Sequence, residues 1–390
     1  MTPIDRALLV KITQDLVRIP SVNPDLVPGA VGERQCAEYI SDLMREWGLE
    51  VINRELAPGR FNALGILRGS GGGRSLLFNG HTDTVSVEGM SDPFSGAVRD
   101  GRLYGRGASD MKGSLAATLA ALHAIVQHGN RLRGDVIFTF VADEEFASIG
   151  TQAVVDDIRR GAVLRPDGAV NTEATDLRMC VAHKGFAWAE VETIGKAAHG
   201  SRPELGVDAI AQMGKFLVAL QQLQQQLASG ARHPLLGTGS VHASLIHGGR
   251  ELSSYPDRCT LQIERRTVPP ESEQTVANEL GSLLERLSSA DPTFQATSRV
   301  KFVRNPWQAN RQAPIVKALE DAVVEVTTLP VRTSTASGWL DAALLADAGI
   351  PSIVFGPSGA GAHGTDEWVD LDSLVICARV YAQVMESFCG

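Results

Sequence analysis

Hydrophobic residues recur along the first half of the chain with two different periods, which predict helices and strands in alternation. Apolar positions at helical spacing mark residues 4–18, 31–47 and 112–128 approximately. Among them stand short β-rich runs: VINREL, NALGILRG, RSLLFNG, DVIFTFVA and GAVNTE. Strands that alternate with helices predict a layered α/β domain built on a sheet.

The pattern changes near residue 184. It now predicts, in order, the strand FAWAEVETIG, a helix over 203–228, the strands SVHASLIHG and CTLQIERRTV, the helix SEQTVANELGSLLERLSS and the strand FQATSRVKFV. This βαββαβ order is typical of a ferredoxin-like α+β domain. After residue 304 the earlier style returns, with helices predicted near 312–326 and 370–388. We therefore predict one domain in two parts, 1–183 and 304–390, with a second domain inserted over 184–303.

Charge and composition exclude several classes of partner. The formal net charge is −9 and no basic stripe is present, so we expect neither nucleic acid nor membrane as a partner. No apolar run approaches the roughly 20 residues of a membrane helix, and the N-terminus lacks the layout of a signal peptide. The five cysteines are far apart, without a C-x-x-C pair, which favours a reducing, cytoplasmic location.

Imidazole and carboxylate side chains follow several of the predicted strands. His81 and Asp83 in NGHTDTV come directly after SLLF, at the strand end where sites form in open α/β sheets. Asp110 in GRGASDMKG precedes a predicted helix, and alone it is equally well explained as a helix N-cap. Glu144 and Glu145 close another strand in FTFVADEEF. Neighbouring like charges repel, so their joint ionisation favours a nearby cation.

Two further candidates follow later strands. Glu173 lies in GAVNTEATD, and His363 lies in GPSGAGAHGTDEW, after the apolar run PSIVFG. Each residue taken singly is more often a turn or surface residue. Together, two imidazoles and several carboxylates at successive strand ends form a nitrogen and oxygen ligand set that suits zinc and related divalent ions.

Several motifs that recur in a fixed order carry a resemblance to a known family. They are GHTDTV, GRGASDMKG, DEE followed by a glycine, TEATD, AAHGSRPELGVDAI and AHGTDEWV. In this order they resemble the acetylornithine deacetylase, succinyl-diaminopimelate desuccinylase, aminoacylase and glutamate carboxypeptidase family of di-zinc metallopeptidases. The resemblance extends from about residue 10 to 385. It implies a zinc-peptidase-like catalytic domain with an inserted ferredoxin-like lid, which would also form a homodimer.

The resemblance also implies a centre of two divalent metal ions, Zn²⁺ or Co²⁺. Asp110 would bridge the two ions, and Asp83 would fix the orientation and tautomer of a ligating histidine. The full set of implied ligands is His81, Asp110, Glu145, Glu173 and His363, with His81 and Glu173 on one ion and Glu145 and His363 on the other.

Two residues are implied in proton transfer and charge stabilisation. Glu144 would be the general base that takes a proton from a metal-bridging water and returns it to the leaving nitrogen. His199 in GKAAHGSRP resembles the family histidine that reaches the oxyanion, usually from the partner subunit. Spacing alone would make His199 an exposed loop histidine.

Substrate contacts are implied for the inserted domain and for one late turn. Arg266 of IERRTVPP matches the arginine that pairs with the substrate carboxylate, and Arg265 competes because strand alternation sends the two to opposite faces. Gly338 in SGWLDA lies where the family places backbone donors, although an ordinary turn glycine is the alternative. Ser253 stands where many members have asparagine, and TEATD lacks the proline of the commoner form.

The expected activity is deacylation of an N-acyl amino acid, acetylornithine-deacetylase-like, by attack of a metal-bridging hydroxide. The alternative is a dipeptidase or glutamate-carboxypeptidase-like metallopeptidase that acts on a peptide at the same centre. A non-catalytic binding protein is a third hypothesis, against which the presence of every implied ligand and of Glu144 counts.

Overall fold

A computed structural model describes residues 2–129 and 132–390. Its α-helices are α1 (Arg6–Arg18), α2 (Arg34–Glu46), α3 (Gly113–Gln127), α4 (Ile149–Arg159), α5 (Ala209–Ser229), α6 (Glu273–Ala290), α7 (Pro314–Thr327), α8 (Ala342–Asp347) and α9 (Leu371–Cys389). Its strands are β1 (Glu50–Ala57), β2 (Arg60–Leu67), β3 (Leu76–His81), β4 (Ala97–Arg99), β5 (Arg102–Tyr104), β6 (Val136–Val141), β7 (Gly168–Asn171), β8 (Met179–His183), β9 (Gly185–Ile194), β10 (Ser240–Gly248), β11 (Arg258–Thr267), β12 (Gln295–Arg304), β13 (Trp307–Gln308), β14 (Thr333–Ala336), β15 (Ser352–Val354), β16 (Gly359–Ala360) and β17 (Trp368–Asp370).

The chain divides into two compact units. The first comprises Met1–Val181, Ala309–Ser334 and Leu340–Gly390, and the second comprises Ala182–Gln308 and Thr335–Trp339. The insertion was expected over 184–303. The second unit extends to residue 308 because β13 pairs with residues 182 and 183, and it also takes in a short segment near residue 337 that the sequence pattern did not mark.

The first unit is built on a sheet with the strand order β1-β2-β6-β3-β7-β15-β8. Strand β3 runs parallel to both of its neighbours, β6 and β7. Such strands are buried on both faces, which is why β3 and β6 are near-continuous apolar runs in the sequence.

Helices cover both faces of this sheet. Phe78 of β3 packs edge-on against Tyr381 of α9, whereas the next residue, Asn79, donates a hydrogen bond to Thr151 of α4. Successive side chains of a strand point to opposite faces, so α9 and α4 belong to opposite layers. The expected layered α/β class is confirmed.

A second, small sheet in the first unit has the strand order β16-β17-β5-β4. Its strands are only two or three residues long, too short to give a recognisable period in the sequence. The sheet matters for the site because β17 begins directly after Glu367, whose role is described below.

The second unit is an antiparallel sheet with the strand order β10-β11-β9-β12, and helices α5 and α6 connect its strands. In chain order this is the expected βαββαβ fold. Ala187, Ala189 and Val191 of β9 join the core beneath the helices, and the residues between them face the other way.

Helix α5 begins later than the sequence predicted. Its expected start was residue 203, but Pro203–Leu205 forms a separate 3₁₀ turn. The helix starts at Ala209 because the Asp208 carboxylate accepts a hydrogen bond from Ala211 N and caps its first turn. None of the helices in the described ranges combines the length and apolar content needed to cross a bilayer.

Two adjacent arginines of β11 lie in different environments. Arg265 is 1% exposed, and its Nη2 lies 2.9 Å from carboxylate oxygens of both Glu271 and Glu279. Arg266 is 33% exposed, with its Nε 2.7 Å from Glu264 Oε1 and its guanidinium 5.2 Å from the centre of the Phe186 ring. Strand alternation therefore gives one arginine a buried ion-pair role and leaves the other accessible.

We expect Arg265→Ala to lower the free energy of unfolding by about 3 kcal/mol, because it removes the shared partner of two largely buried carboxylates. The matched control Arg266→Ala, which breaks a more exposed pair, should cost less than about 1 kcal/mol. Urea unfolding followed by tryptophan fluorescence measures both. Equal losses for the two variants would contradict the assignment of Arg265 to the structural ion pairs.

Candidate metal centre

Three neighbouring strands of the first unit bring the acidic residues and one histidine together. His81 is the last residue of β3, the Glu144–Glu145 pair follows β6, and Glu173 follows β7. Since β3 lies between β6 and β7 and runs parallel to both, the carboxyl ends of all three strands meet at one edge. This is the edge where open α/β sheets bind ligands.

Asp110 lies between the two histidines of the site. Its Oδ1 is 3.1 Å from His81 Nε2, and its Oδ2 is 3.3 Å from His363 Nε2. His363 has a left-handed backbone, with φ of 62°, which is uncommon outside glycine and often marks functional sites. The two oxygens of one carboxylate thus face two different imidazoles.

The remaining glutamates complete two overlapping groups. Glu173 Oε1 lies 3.5 Å from His81 Nε2, and Glu145 Oε2 lies 3.1 Å from His363 Nε2. Glu144 Oε2 lies 4.0 Å from His81 Nε2. The structure therefore brings together all five expected ligands and the expected base.

The donor set fits divalent cations. Glu145 Oε1 and Glu173 Oε1 are buried and accept no hydrogen bond from any described residue, an arrangement that is costly unless a cation compensates it. His81 forms groups of potential ligand atoms that lie within 4.8 Å of one another, once with Glu144 and Glu173 and once with Asp110 and Glu145. Nitrogen and carboxylate oxygen are donors that zinc and related ions accept.

The pKa values of the acidic groups reflect the same crowding. Burial raises the pKa of Glu173 to about 8 and that of Glu145 to about 7, and it raises the pKa of Glu144 well above its usual range. Hydrogen bonds to Asp110 and Glu145 raise the pKa of His363 to about 10. The raised pKa values reflect carboxylates that are buried close to one another, and cations bound among them would favour their ionised forms.

Asp83 holds both His81 and the loop after β6. The Nδ1 atom of His81 is 3.0 Å from the carbonyl oxygen of Asp83 and 3.4 Å from its Oδ1. The same carboxylate accepts hydrogen bonds from Glu144 N at 3.1 Å and from Glu145 N at 3.2 Å. The sequence pointed only to the contact with His81, so the structure adds a second function for Asp83.

Glu367 was missed by the sequence analysis, although it stands within the AHGTDEWV motif. Its buried carboxylate accepts hydrogen bonds from the backbone nitrogens of Gly107, Ser109 and Asp110, each at 2.9 Å, and from Arg106 Nη1 at 2.8 Å. These contacts fix the loop that carries Asp110. An acidic residue inside a motif already noted for His363 was the available signal.

Asn23 and Arg60 were also missed. Both are buried, and both donate hydrogen bonds to Asp143, the residue before Glu144. No local pattern distinguishes them, because Asn23 follows the first predicted helix and Arg60 begins a strand.

His199 and Ser253, two of the expected site residues, lie near each other on exposed loops of the second unit. Gly200 N donates a hydrogen bond of 2.7 Å to Ser253 O, next to His199. His199 Nδ1 accepts from Ser201 N at 3.1 Å and lies 2.8 Å from Ser201 Oγ. Because Nδ1 is an acceptor, neutral His199 carries its hydrogen on Nε2.

Gly338 lies exposed in the second unit. A Cβ atom built there would meet no described atom within 4 Å, and its φ is not in the left-handed region. Neither packing nor backbone geometry within the described residues therefore demands glycine at this position.

Comparison with known proteins identifies the family. Residues 77–387 match the family described as Peptidase family M20/M25/M40. The chain is 31% identical over 339 residues to an acetylornithine deacetylase of Myxococcus xanthus, which covers 85% of each chain. It is 28% identical to an N-formyl-4-amino-5-aminomethyl-2-methylpyrimidine deformylase of Halalkalibacterium halodurans, over 98% of this chain and 94% of the relative.

A solved structure shows the same fold. It is a dinuclear metal-binding peptidase of the M20 family from Bacillus subtilis, with a TM-score of 0.75, 16% identity and 98% coverage of each chain. The family resemblance read from the motifs is thereby confirmed. The chain belongs to peptidase family M20/M25/M40 and is a metal-dependent hydrolase of amide bonds.

Proposed function

We propose that the chain removes the acyl group from an N-acyl amino acid at a centre of two divalent metal ions. The observation that carries the proposal is the Asp110 carboxylate, whose two oxygens face His81 and His363, with Glu144 beside them. The relatives named above are a deacetylase and a deformylase, which favours a small acyl group over a second amino acid.

The metal ions, Zn²⁺ or Co²⁺, would be held by the five residues that converge on this edge. When bound, they would supply Lewis-acid polarisation of the scissile carbonyl and acidify a water molecule. Asp110 would be shared between them because each of its oxygens faces a different histidine. The residues of the two sets are His81, Asp110 and Glu173, and Asp110, Glu145 and His363.

Glu144 would carry the proton. A general base must lie within reach of the attacking water and must bind a proton strongly enough to hold it until transfer. Glu144 Oε2 lies 4.0 Å from His81 Nε2, and Asp83 fixes its backbone nitrogen. Burial raises the pKa of Glu144, whereas cations bound beside it would favour the ionised form that accepts a proton. The carboxylate would take a proton from the attacking water and deliver it to the nitrogen of the leaving amine.

Residues of the second unit would bind the rest of the substrate. His199 has its Nε2 hydrogen available to donate to the developing oxyanion. Arg266 would pair with the substrate carboxylate, a role better suited to it than to Arg265, whose guanidinium holds Glu271 and Glu279. Gly338 would offer its backbone nitrogen, and Ser253 would adjoin His199.

We expect the metal-loaded protein to release amine from N-acetyl, N-formyl or N-succinyl amino acids, and to lose this activity on chelation. The measurement is amine release from a panel of acyl amino acids beside dipeptides, with zinc- or cobalt-loaded protein and a chelated control. Cleavage of dipeptides alone would replace the proposal with a peptidase, and turnover of no compound would favour a binding protein.

We expect Glu144→Gln to keep near-normal metal content while kcat falls by at least about 100-fold, because only the proton carrier is lost. Asp110→Asn should reduce the metal content itself, because it weakens the carboxylate between the two histidines. Metal analysis of the purified proteins, together with steady-state kinetics, separates the two effects. A fully active Glu144→Gln protein would exclude the proton-transfer role.

The role of His199 is tested together with the predicted homodimer. We expect His199→Ala to lower kcat with little change in metal content, because the histidine stabilises the oxyanion. If it acts across a dimer, random mixing with Glu144→Gln chains restores up to about a quarter of the wild-type activity, since one of the two sites in each mixed dimer is complete. Unchanged kcat in His199→Ala would refute the role, and failure of the mixture would place His199 in its own chain's site.

A further inference from the structure

Asn23 lies beside the end of β3, although nearly 60 residues separate them in the chain. Val22 pairs with Thr84 in a parallel bridge, and Asn23 N donates a hydrogen bond of 2.9 Å to Thr84 O. The side chain of Asn23 is fully buried. The backbone therefore delivers an uncharged polar group into the carboxylate-rich edge of the sheet.

The amide of Asn23 donates to two carboxylates at once. Its Nδ2 lies 2.8 Å from Asp83 Oδ2 and 3.0 Å from Asp143 Oδ1. Its Oδ1 accepts a hydrogen bond from Asp25 N at 2.9 Å. These partners fix the orientation of the amide, because ionised carboxylates only accept and a backbone nitrogen only donates.

The two carboxylates control the loop that presents the proposed base. Asp83 accepts hydrogen bonds from the backbone nitrogens of Glu144 and Glu145. Asp143 has a left-handed backbone, with φ of 71°, and its carbonyl oxygen accepts from Ala147 N at 3.2 Å. The loop is thus held by the hydrogen bonds to Asp83, and its chain direction changes at Asp143, where it begins.

Asn23 contacts both of these carboxylates through one amide nitrogen. Arg60 supplies the compensating positive charge, with Nη2 at 2.7 Å from Asp143 Oδ1, and it also pairs with Glu33. Arg60 acts on Asp83 only through its charge, because its ion pairs with described residues are to Asp25, Glu33 and Asp143. The charge of Arg60 alone therefore does not set the distance between the two carboxylates. The two amide hydrogens of Asn23 provide that connection.

We propose that Asn23 is a positioning residue for amide hydrolysis, which holds Asp83 and Asp143 together and thereby fixes the loop that presents Glu144 and Glu145. The proposal rests on the proposed role of Glu144 for its effect on catalysis. Its effect on the loop depends on hydrogen bonds alone. Asparagine suits the position because aspartate would place a third acceptor against two others, and alanine would leave both carboxylates short of a donor.

The first readout is amide exchange, which needs neither metal nor substrate. Hydrogen–deuterium exchange of the peptide over 142–149 should be about tenfold faster in Asn23→Ala than in the wild type, because the Glu144 and Glu145 amides lose their fixed acceptor. The milder variant Asn23→Ser serves in the same way if Asn23→Ala does not fold.

The second readout is whether the substitution changes kcat or KM in the metal-loaded enzyme. We expect kcat to fall by about 10- to 100-fold, as for a displaced catalytic group, while KM stays within about twofold and the metal content remains normal. In a Glu144→Gln background, the same substitution should change the residual kcat little, because the group that it positions is already absent.

Ser75→Ala is the matched control. Ser75 lies just before β3, at the end opposite to His81, and its buried Oγ donates a hydrogen bond of 3.0 Å to Asp167. The substitution removes this hydrogen bond and the one that Asp167 N donates to Ser75 Oγ, next to the start of β3 and away from the loop. We therefore expect a lower Tm with wild-type kcat and wild-type exchange over 142–149.

Unchanged exchange over 142–149 in the Asn23 variants would overturn the proposal, as would faster exchange with unchanged kcat. An equal loss of kcat in Ser75→Ala would also overturn it, because general destabilisation would then explain the effect. If the wild-type protein cleaves none of the acyl amino acids, the proposed function fails while the exchange experiment still decides whether Asn23 fixes the loop.

Discussion

The burial of several carboxylates beside one another is the constraint on which the first unit depends. Like charges in a low-dielectric pocket repel, and each loses the hydration that stabilised it in water. Two imidazoles and the expected cations offset this cost only if every group is held in place. The residues concerned are Asp83, Asp110, Glu144, Glu145, Glu173, His81 and His363.

Backbone nitrogens hold these groups through two further carboxylates. The Asp83 carboxylate accepts hydrogen bonds from the backbone nitrogens of Glu144 and Glu145. The Glu367 carboxylate accepts them from the backbone nitrogens of Gly107, Ser109 and Asp110. In each case a buried acid outside the expected ligand set accepts hydrogen bonds from the backbone of a loop that carries an expected ligand. The same hydrogen bonds satisfy the buried oxygens of the supporting acids, which would otherwise be costly. The strands determine where the loops begin, and the hydrogen bonds to Asp83 and Glu367 determine the conformation of the loops.

The sequence was informative where the signal is local. Apolar runs located β3 and β6 because strands buried on both faces cannot alternate, and ordered motifs located His81 and the other expected ligands. It was not informative where partners lie far apart in the chain. Glu367 is 257 residues from Asp110 in the chain, although its carboxylate accepts a hydrogen bond from the backbone nitrogen of Asp110. The start of α5 was misplaced for a different reason, since the Asp208 cap decides it and the apolar period does not.

The two arginines of β11 have their ion-pair partners within the second unit. Arg265 forms buried ion pairs with Glu271 and Glu279, so a substitution of Arg265 affects the stability of the second unit. Arg266 is held by Glu264 and lies over the Phe186 ring, both in the same unit. Glu144, the proposed proton carrier, has its backbone nitrogen held by Asp83 of the first unit. We therefore expect substitutions around Arg266 to leave the orientation of Glu144 by Asp83 intact, so that the proposed recognition of the substrate carboxylate and the proposed proton transfer would depend on different sets of residues.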